Sequence, residues 1–201
     1  MSAELAGAPR VIAGILLAAG AATRMGRTKQ LLPVDGVPMV RRAAETLRAA
    51  GCAPLIVVTG HDADAVEATL DGLDVCCVRV ADPTAPTSAS LHAGLRALGT
   101  EVASAVVLLA DMVHVTAPMV AALVRADATG MAPLQVSRYS EVPAPPLLFR
   151  RALWSELLAW TGEGCGKAVV RAHFDEAGVH DWPVAALRDI DTPEDYAALT
   201  G

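Results

Sequence analysis

Aromatic residues make up only 3% of this 201-residue chain, with three Trp, two Tyr and two Phe, so its core cannot be built on ring packing. Long apolar runs are also missing. Although 53% of the residues are hydrophobic and mean hydropathy is +0.41, no run reaches the ~18 residues that span a bilayer, and no membrane partner is expected. Lys and Arg never stand more than two in a row, and 22 acids against 16 bases give a net charge of -6, which argues against a nucleic-acid surface. Cys52, Cys76, Cys77 and Cys165 form no CxxC pair and have no histidines at ligand spacing, so neither a zinc site nor a redox motif is indicated. They read as reduced thiols of a cytoplasmic protein.

What is abundant is Ala, Val and Leu. A chain of this length buries well over half of its unfolded surface in one domain without disulfides, and one domain over residues 1–201 is expected. Aliphatic runs of this kind suit parallel strands covered on both faces by helices. From Val11 onward a unit recurs: a short aliphatic run, a turn, an amphipathic stretch. It predicts strands at about 11–18, 54–59, 74–80, 104–110 and 131–135, and helices at about 37–50, 62–71, 88–98 and 116–126. Alternation of this sort makes a parallel sheet. Residues 142–149 are rich in proline and cannot be helix interior; with helices at 150–160 and 166–173 they are expected to cover the open edge of the sheet. The last helix begins at Thr192-Pro-Glu-Asp, an N-cap followed by proline and acids in the first turn. Arg10 and the small or apolar residues 11–22 imitate a secretory leader. Their continuation into Thr-Arg-Met-Gly-Arg-Thr-Lys makes better sense as a functional loop.

That loop, Leu17-Ala-Ala-Gly20-Ala-Ala-Thr-Arg24-Met-Gly26-Arg-Thr-Lys29, follows the first strand, where open α/β sheets bind ligands. Gly20 and Gly26 free the backbone to turn N–H groups toward an anion, and Arg24 and Lys29 add positive charge. A triphosphate of about four negative charges is the ligand it suits. The Walker spacing and the Gly-x-Gly-x-x-Gly fingerprint are both absent. Asp111 ends the run Ala105-Val-Val-Leu-Leu-Ala110 and should emerge at the carboxyl end of a central strand, facing the same crevice. A single Asp with a second acid nearby is enough for Mg²⁺, which takes its other ligands from phosphates and water. Ser88, Ser90 and His92 open a helix, where they either contact base or ribose or serve as N-caps. His61, His114, His173 and His180 carry no assignable chemistry.

The string LLAAGAATRMGRTKQLLPVDGVPMV (residues 16–40) resembles the N-terminal signature of the molybdenum cofactor nucleotidyltransferases, the MobA-like NTP transferase family, and most of all its cytidylyl-transferring branch. The likeness continues in order through Val57-Val-Thr-Gly60-His-Asp62, Ser88-Ala-Ser-Leu91-His-Ala-Gly94, Leu108-Leu-Ala-Asp111-Met and Asp189-Ile-Asp-Thr-Pro-Glu-Asp-Tyr196. It implies a three-layer, Rossmann-like α/β nucleotidyltransferase domain with a mainly parallel sheet. It further implies nucleotide binding by Leu17, Ala18, Ala19, Gly20, Arg24 and Lys29, to which Ser90 is added from its place at the helix start, catalysis by Arg24, Lys29 and Asp111, and Mg²⁺ held by Asp111 and Asp191, with Asp189 in reserve. The implied partners are a nucleoside triphosphate, CTP favoured over GTP because Ala19 stands where guanylyl-transferring relatives usually carry glycine, and molybdopterin or a related phosphorylated acceptor. A molybdoenzyme is a further candidate partner.

The chain departs from the pattern on the acceptor side. Met112 is followed by Val113-His114 and not by proline. An expected Arg-Gly before the proline and Phe149 is replaced by Pro143-Ala-Pro-Pro146, and the loop 82–88 lacks its glycine. Two other readings therefore stand beside the transferase: a non-catalytic nucleotide-binding accessory factor for a molybdoenzyme, and an oxidoreductase on the same fold, like the nicotine-blue enzymes.

Overall fold

The computed structural model describes residues 10–20, 28–164, 166–187, 190 and 193–200. The uninterrupted aliphatic run Val-Ile-Ala-Gly-Ile-Leu-Leu-Ala forms strand β1 (Val11–Ala18), buried from its second residue to its last. Side chains alternate across a strand, so Ala13, Ile15 and Leu17 enter one core while Ile12, Leu16 and Ala18 enter the other. A strand buried on both faces has no polar side, which is why its sequence carries no polar alternation.

The chain then makes a small hairpin, β2 (Pro33–Val34) and β3 (Val37–Pro38). Its turn is Asp35-Gly36 with φ of 50° and 79°, the doubly left-handed geometry that favours an Asp-Gly pair. The helix expected from residue 37 consequently starts at α1 (Met39–Ala49). There follow β4 (Leu55–Thr59), α2 (Ala63–Ala68), β5 (Cys76–Arg79), α3 (Thr87–Arg96), β6 (Val102–Leu109), α4 (Ala117–Thr129), β7 (Leu134–Tyr139), β8 (Val142–Arg150), α5 (Trp154–Ala159), α6 (Lys167–Ala172), β9 (Gly178–Trp182) and α7 (Pro193–Thr200).

Seven strands make one sheet in the order β5-β4-β1-β6-β8-β7-β9. All run parallel except β8, which is antiparallel to both of its neighbours. Helices α1, α2 and α4 cover one face and α3, α5 and α6 the other. This is the three-layer, mainly parallel α/β architecture that the alternation implies. Each fully buried Leu, Ile or Phe in these two layers contributes about 1.5–3 kcal/mol of transfer free energy.

Two expectations need correction. Residues 142–149 do not cover the sheet edge: they are β8, an internal strand, and the edge is taken by β9, where no strand was expected. Proline is tolerated because β8 pairs with β6 only through residues 147–150. Pro143 lies where β8 pairs with β7 alone, and Pro145 and Pro146 fall in the register break between Val136 and Ser137. No ladder N–H toward β6 is lost there. The strand expected at 131–135 lies instead at Leu134–Tyr139, because Pro133 comes before the pairing starts.

At the amino-terminal end of the central strands, the fully buried Asp127 of α4 accepts hydrogen bonds from Ser104 Oγ (2.9 Å) and Arg150 Nε (2.6 Å). The Arg150 guanidinium also donates to the carbonyls of Asp127, Gly130 and Met131 at 2.7–3.0 Å. This cluster locks α4 to β6 and β8 far from the carboxyl ends, where the functional residues gather. Tyr196 on α7 donates to Pro33 O at 2.6 Å, which ties the last helix to the hairpin. Cys52, Cys76 and Cys77 form no disulfide, and no described helix is long and apolar enough to cross a membrane.

Candidate active site

A cleft of about 920 Å³ opens at the carboxyl ends of β1 and β6 and runs along the proline wall of β8 to α6. Asp111 stands two residues past the end of β6. Ala110 N donates to Leu17 O at 3.1 Å, so the ends of β1 and β6 are held side by side and Asp111 faces the loop that leaves β1. Lys29, in a single 3-10 turn over Lys29–Leu31, reaches across that gap. Its Nζ lies 2.7 Å from Asp111 Oδ2, the two side chains being 11% and 25% exposed. The second oxygen, Asp111 Oδ1, is buried with no hydrogen-bond partner among the described residues.

Both ends of the loop are pinned. Gln30 Nε2 donates to Gly20 O at 2.9 Å, and Thr28 Oγ1 donates to the Asp62 carboxylate. Asp62 has φ of 52°, a left-handed conformation that aims its short side chain back at Thr28. That hydroxyl, with a smaller contribution from His61, holds the Asp62 carboxyl below the usual carboxylate range in spite of some desolvation. Gly60 makes room for the loop. A Cβ there would stand 2.7 Å from Ala19 O and 3.0 Å from both Ala19 Cβ and Pro83 Cβ, so the β4 terminus, Ala19 and the 82–86 loop approach each other closely only because position 60 has no side chain.

Of the residues singled out in the sequence, Leu17, Ala19, Gly20, Lys29, Ser90 and Asp111 all line this one cleft. Ala18 does not: its methyl group is packed in the opposite core layer, as strand alternation requires. Arg24, Asp189 and Asp191 lie outside the described residues. The helix-opening trio divides. Ser90 lines the cleft, whereas Ser88 Oγ accepts from Gly162 N (3.0 Å) and His92 Nε2 bonds Leu157 O (2.9 Å) inside the core. Ser88 and His92 thus fasten α3 to the segment around α5. Further cleft residues went unnoticed in the sequence: Pro83, Thr87, Arg138, Glu141, Lys167 and Arg171. Apart from Lys167 and Arg171, which share α6, they come from separate parts of the chain, so only the tertiary packing brings them together.

The donor set fits a hard divalent cation. A buried carboxylate oxygen without a donor is an arrangement such an ion satisfies, and no group of three His, Cys, Asp or Glu stands together among the described residues. The remaining ligands would be phosphate oxygens and water, as is usual for Mg²⁺.

A mainly parallel sheet with Gly20 and Lys29 set beside a strand-end carboxylate is the architecture of Rossmann-like nucleotidyltransferases. Residues 14–177 match the MobA-like NTP transferase domain model; the chain belongs to that family. Among solved structures it is similar to Rv0371c of Mycobacterium tuberculosis (TM-score 0.83, 25% identity, 96% of this chain and 98% of that one). It is also similar to the nucleotidyl transferase Mth528 of Methanothermobacter (TM-score 0.80, 25% identity, 94% and 95%). A further Rv0371c structure is a complex with manganese (TM-score 0.75, 26% identity, 96% and 98%). Among curated proteins, a segment is 43% identical over 74 residues to the bifunctional protein GlmU of Pelobacter propionicus, 35% of this chain and 16% of that one. Another is 48% identical over 56 residues to nicotine blue oxidoreductase of Paenarthrobacter nicotinovorans, 27% of this chain and 28% of that one. The chain thus spans less than a third of either curated relative.

Proposed function

We propose that this chain is a nucleotidyltransferase that moves CMP from CTP to a phosphorylated acceptor of the molybdopterin class and releases pyrophosphate. The observation that carries the reading is the Lys29–Asp111 pair at 2.7 Å beside Gly20, with Asp111 Oδ1 buried and lacking a donor among the described residues.

In this reading Gly20 and its neighbours bring backbone N–H groups to the triphosphate, while Leu17, Ala19 and Ser90 border the nucleoside. Lys29 Nζ neutralises charge at the α-phosphate, a duty that Arg24 shares by resemblance. Asp111, with Asp191 by resemblance, would hold Mg²⁺, and the bound ion would supply charge neutralisation for the phosphates. An oxygen of the acceptor phosphate forms the new bond to the α-phosphorus, the bond from the α-phosphorus to the bridging oxygen breaks, and pyrophosphate leaves with the electron pair. The attacking phosphate is already anionic at neutral pH, so no general base is required. Catalysis is alignment plus electrostatics.

The test is pyrophosphate release from each nucleoside triphosphate with Mg²⁺ and molybdopterin. CTP should support turnover, and Asp111→Ala should abolish it in a protein that still folds, with a loss of about 10³-fold or more. Undiminished turnover in Asp111→Ala would overturn the assignment. The departure at Pro143-Ala-Pro-Pro146 favours a second reading, a nucleotide-binding accessory factor for a molybdoenzyme. CTP binding without any pyrophosphate release would select it.

A further inference from the structure

Among the described residues, the charged side chains lining the cleft are Lys29, Asp111, Arg138, Glu141, Lys167 and Arg171. Lys29 is paired with Asp111, and Arg138 is gripped by both oxygens of Asp181 at 2.7 and 2.9 Å. Lys167 and Arg171 form no hydrogen bond or ion pair within the described chain. They stand one turn apart on α6, Lys-Ala-Val-Val-Arg-Ala, a helix with no acid of its own.

Like charges at this spacing disfavour a helix unless something offsets them, and three of the neighbouring acids are engaged elsewhere. Glu163 accepts from Thr87 Oγ1 at 2.8 Å, and Glu156 and Glu176 both face His173. The helix itself is fixed, because Val169 and Val170 are buried in the core layer. Two uncompensated cations are therefore mounted on a firmly packed element at the rim of the cleft.

The wall formed by β8 provides little for an anion. Three of the four residues in Pro143-Ala-Pro-Pro146 have no N–H to donate, and Glu141 adds negative charge beside them. This is also the stretch from which an arginine is missing. We infer that Lys167 and Arg171 form the anion subsite of the acceptor half of the cleft and hold a phosphate monoester there. The positive charge absent from the β8 segment is supplied from α6. Arg171 offers a planar fork to two oxygens and Lys167 a point charge. The inference rests on the nucleotidyltransferase reading, and its test is built to fail separately from it.

The full chain is titrated calorimetrically with inorganic phosphate, with and without a saturating non-hydrolysable CTP analogue and Mg²⁺, and compared with the double variant Lys167→Gln/Arg171→Gln. Both side chains are exposed, so the variant should keep the wild-type unfolding midpoint. Phosphate affinity should fall on the order of tenfold in the variant. The wild-type affinity should weaken with added salt far more than that of the variant. Affinity for the CTP analogue should stay within about twofold, and the KM for a phosphorylated acceptor should rise with kcat little changed. Equal phosphate affinity in both proteins overturns the proposal. So does a selective loss of CTP-analogue affinity, which would assign the two cations to the triphosphate. A wild-type chain that binds no nucleotide defeats the transferase reading, and the nucleotide-free phosphate titration then still decides the subsite.

Discussion

Replacing Gly60 by alanine should damage stability and nucleotide binding together. The added methyl would lie 2.7 Å from Ala19 O, 3.0 Å from Ala19 Cβ and 3.0 Å from Pro83 Cβ. Carbon contacts relax near ~3.5–4.0 Å, so each of these gaps is short by about half an ångström or more. None of the three atoms ends a flexible side chain, and relief must come from moving backbone. Overpacking of this kind costs about 1–3 kcal/mol, which for a chain of this size lowers the unfolding midpoint by roughly 2–12 °C. Ala19 and Pro83 both line the cleft, so the same displacement should weaken CTP binding by about tenfold. Gly36→Ala is the control. Its φ is +79° and nothing lies within 4 Å of the added atom, so it should lose about 1–2 kcal/mol through left-handed backbone strain alone and leave CTP affinity intact. The two variants are compared by thermal unfolding and by calorimetric titration with CTP and Mg²⁺. Wild-type stability and affinity in Gly60→Ala would refute the close-approach argument, as would an equal loss of affinity in Gly36→Ala.

The remaining expectations concern the base and the far end of the sheet. Ala19 is buried with its Cβ against the Gly60 backbone and borders the cleft, so CTP should bind better than GTP by about ten- to two-hundredfold. Ala19→Gly should narrow that gap in side-by-side titrations; a GTP preference in the unaltered chain would end the cytidylyl assignment. Asp127→Ala removes a fully buried carboxylate and strips Arg150, 17% exposed, of its counter-ion. It should cost about 3 kcal/mol by denaturant unfolding. CTP affinity should be unchanged, because Ser104 and Asp111 are seven residues apart along β6 and its extension, about 20 Å; a large loss of affinity would show that the two ends of the sheet are coupled.

Features carried by neighbouring residues were readable in the sequence. The aliphatic run of β1 announces a strand covered on both faces, and Asp111 at the end of Ala105-Val-Val-Leu-Leu-Ala110 announces a strand-end carboxylate. Each depends on periodicity or spacing within about a dozen residues. Strand alternation even holds the reason why Ala19 reaches the cleft while the methyl of Ala18 is spent on the opposite core. What the tertiary structure alone decided is which distant segments meet. Prolines at 143, 145 and 146 look hostile to a strand until the pairing with β6 is seen to begin beyond them, at Leu147. Ser88 and His92 look like ligand contacts until Gly162 and Leu157 are found beside them. Lys167 and Arg171 look like ordinary surface charges until α6 is docked over the cleft. Pairing of this kind is set by packing between residues far apart in the chain. A strand or helix carries its own period in its sequence, but the identity of its neighbour is fixed only when all the apolar faces are buried at once.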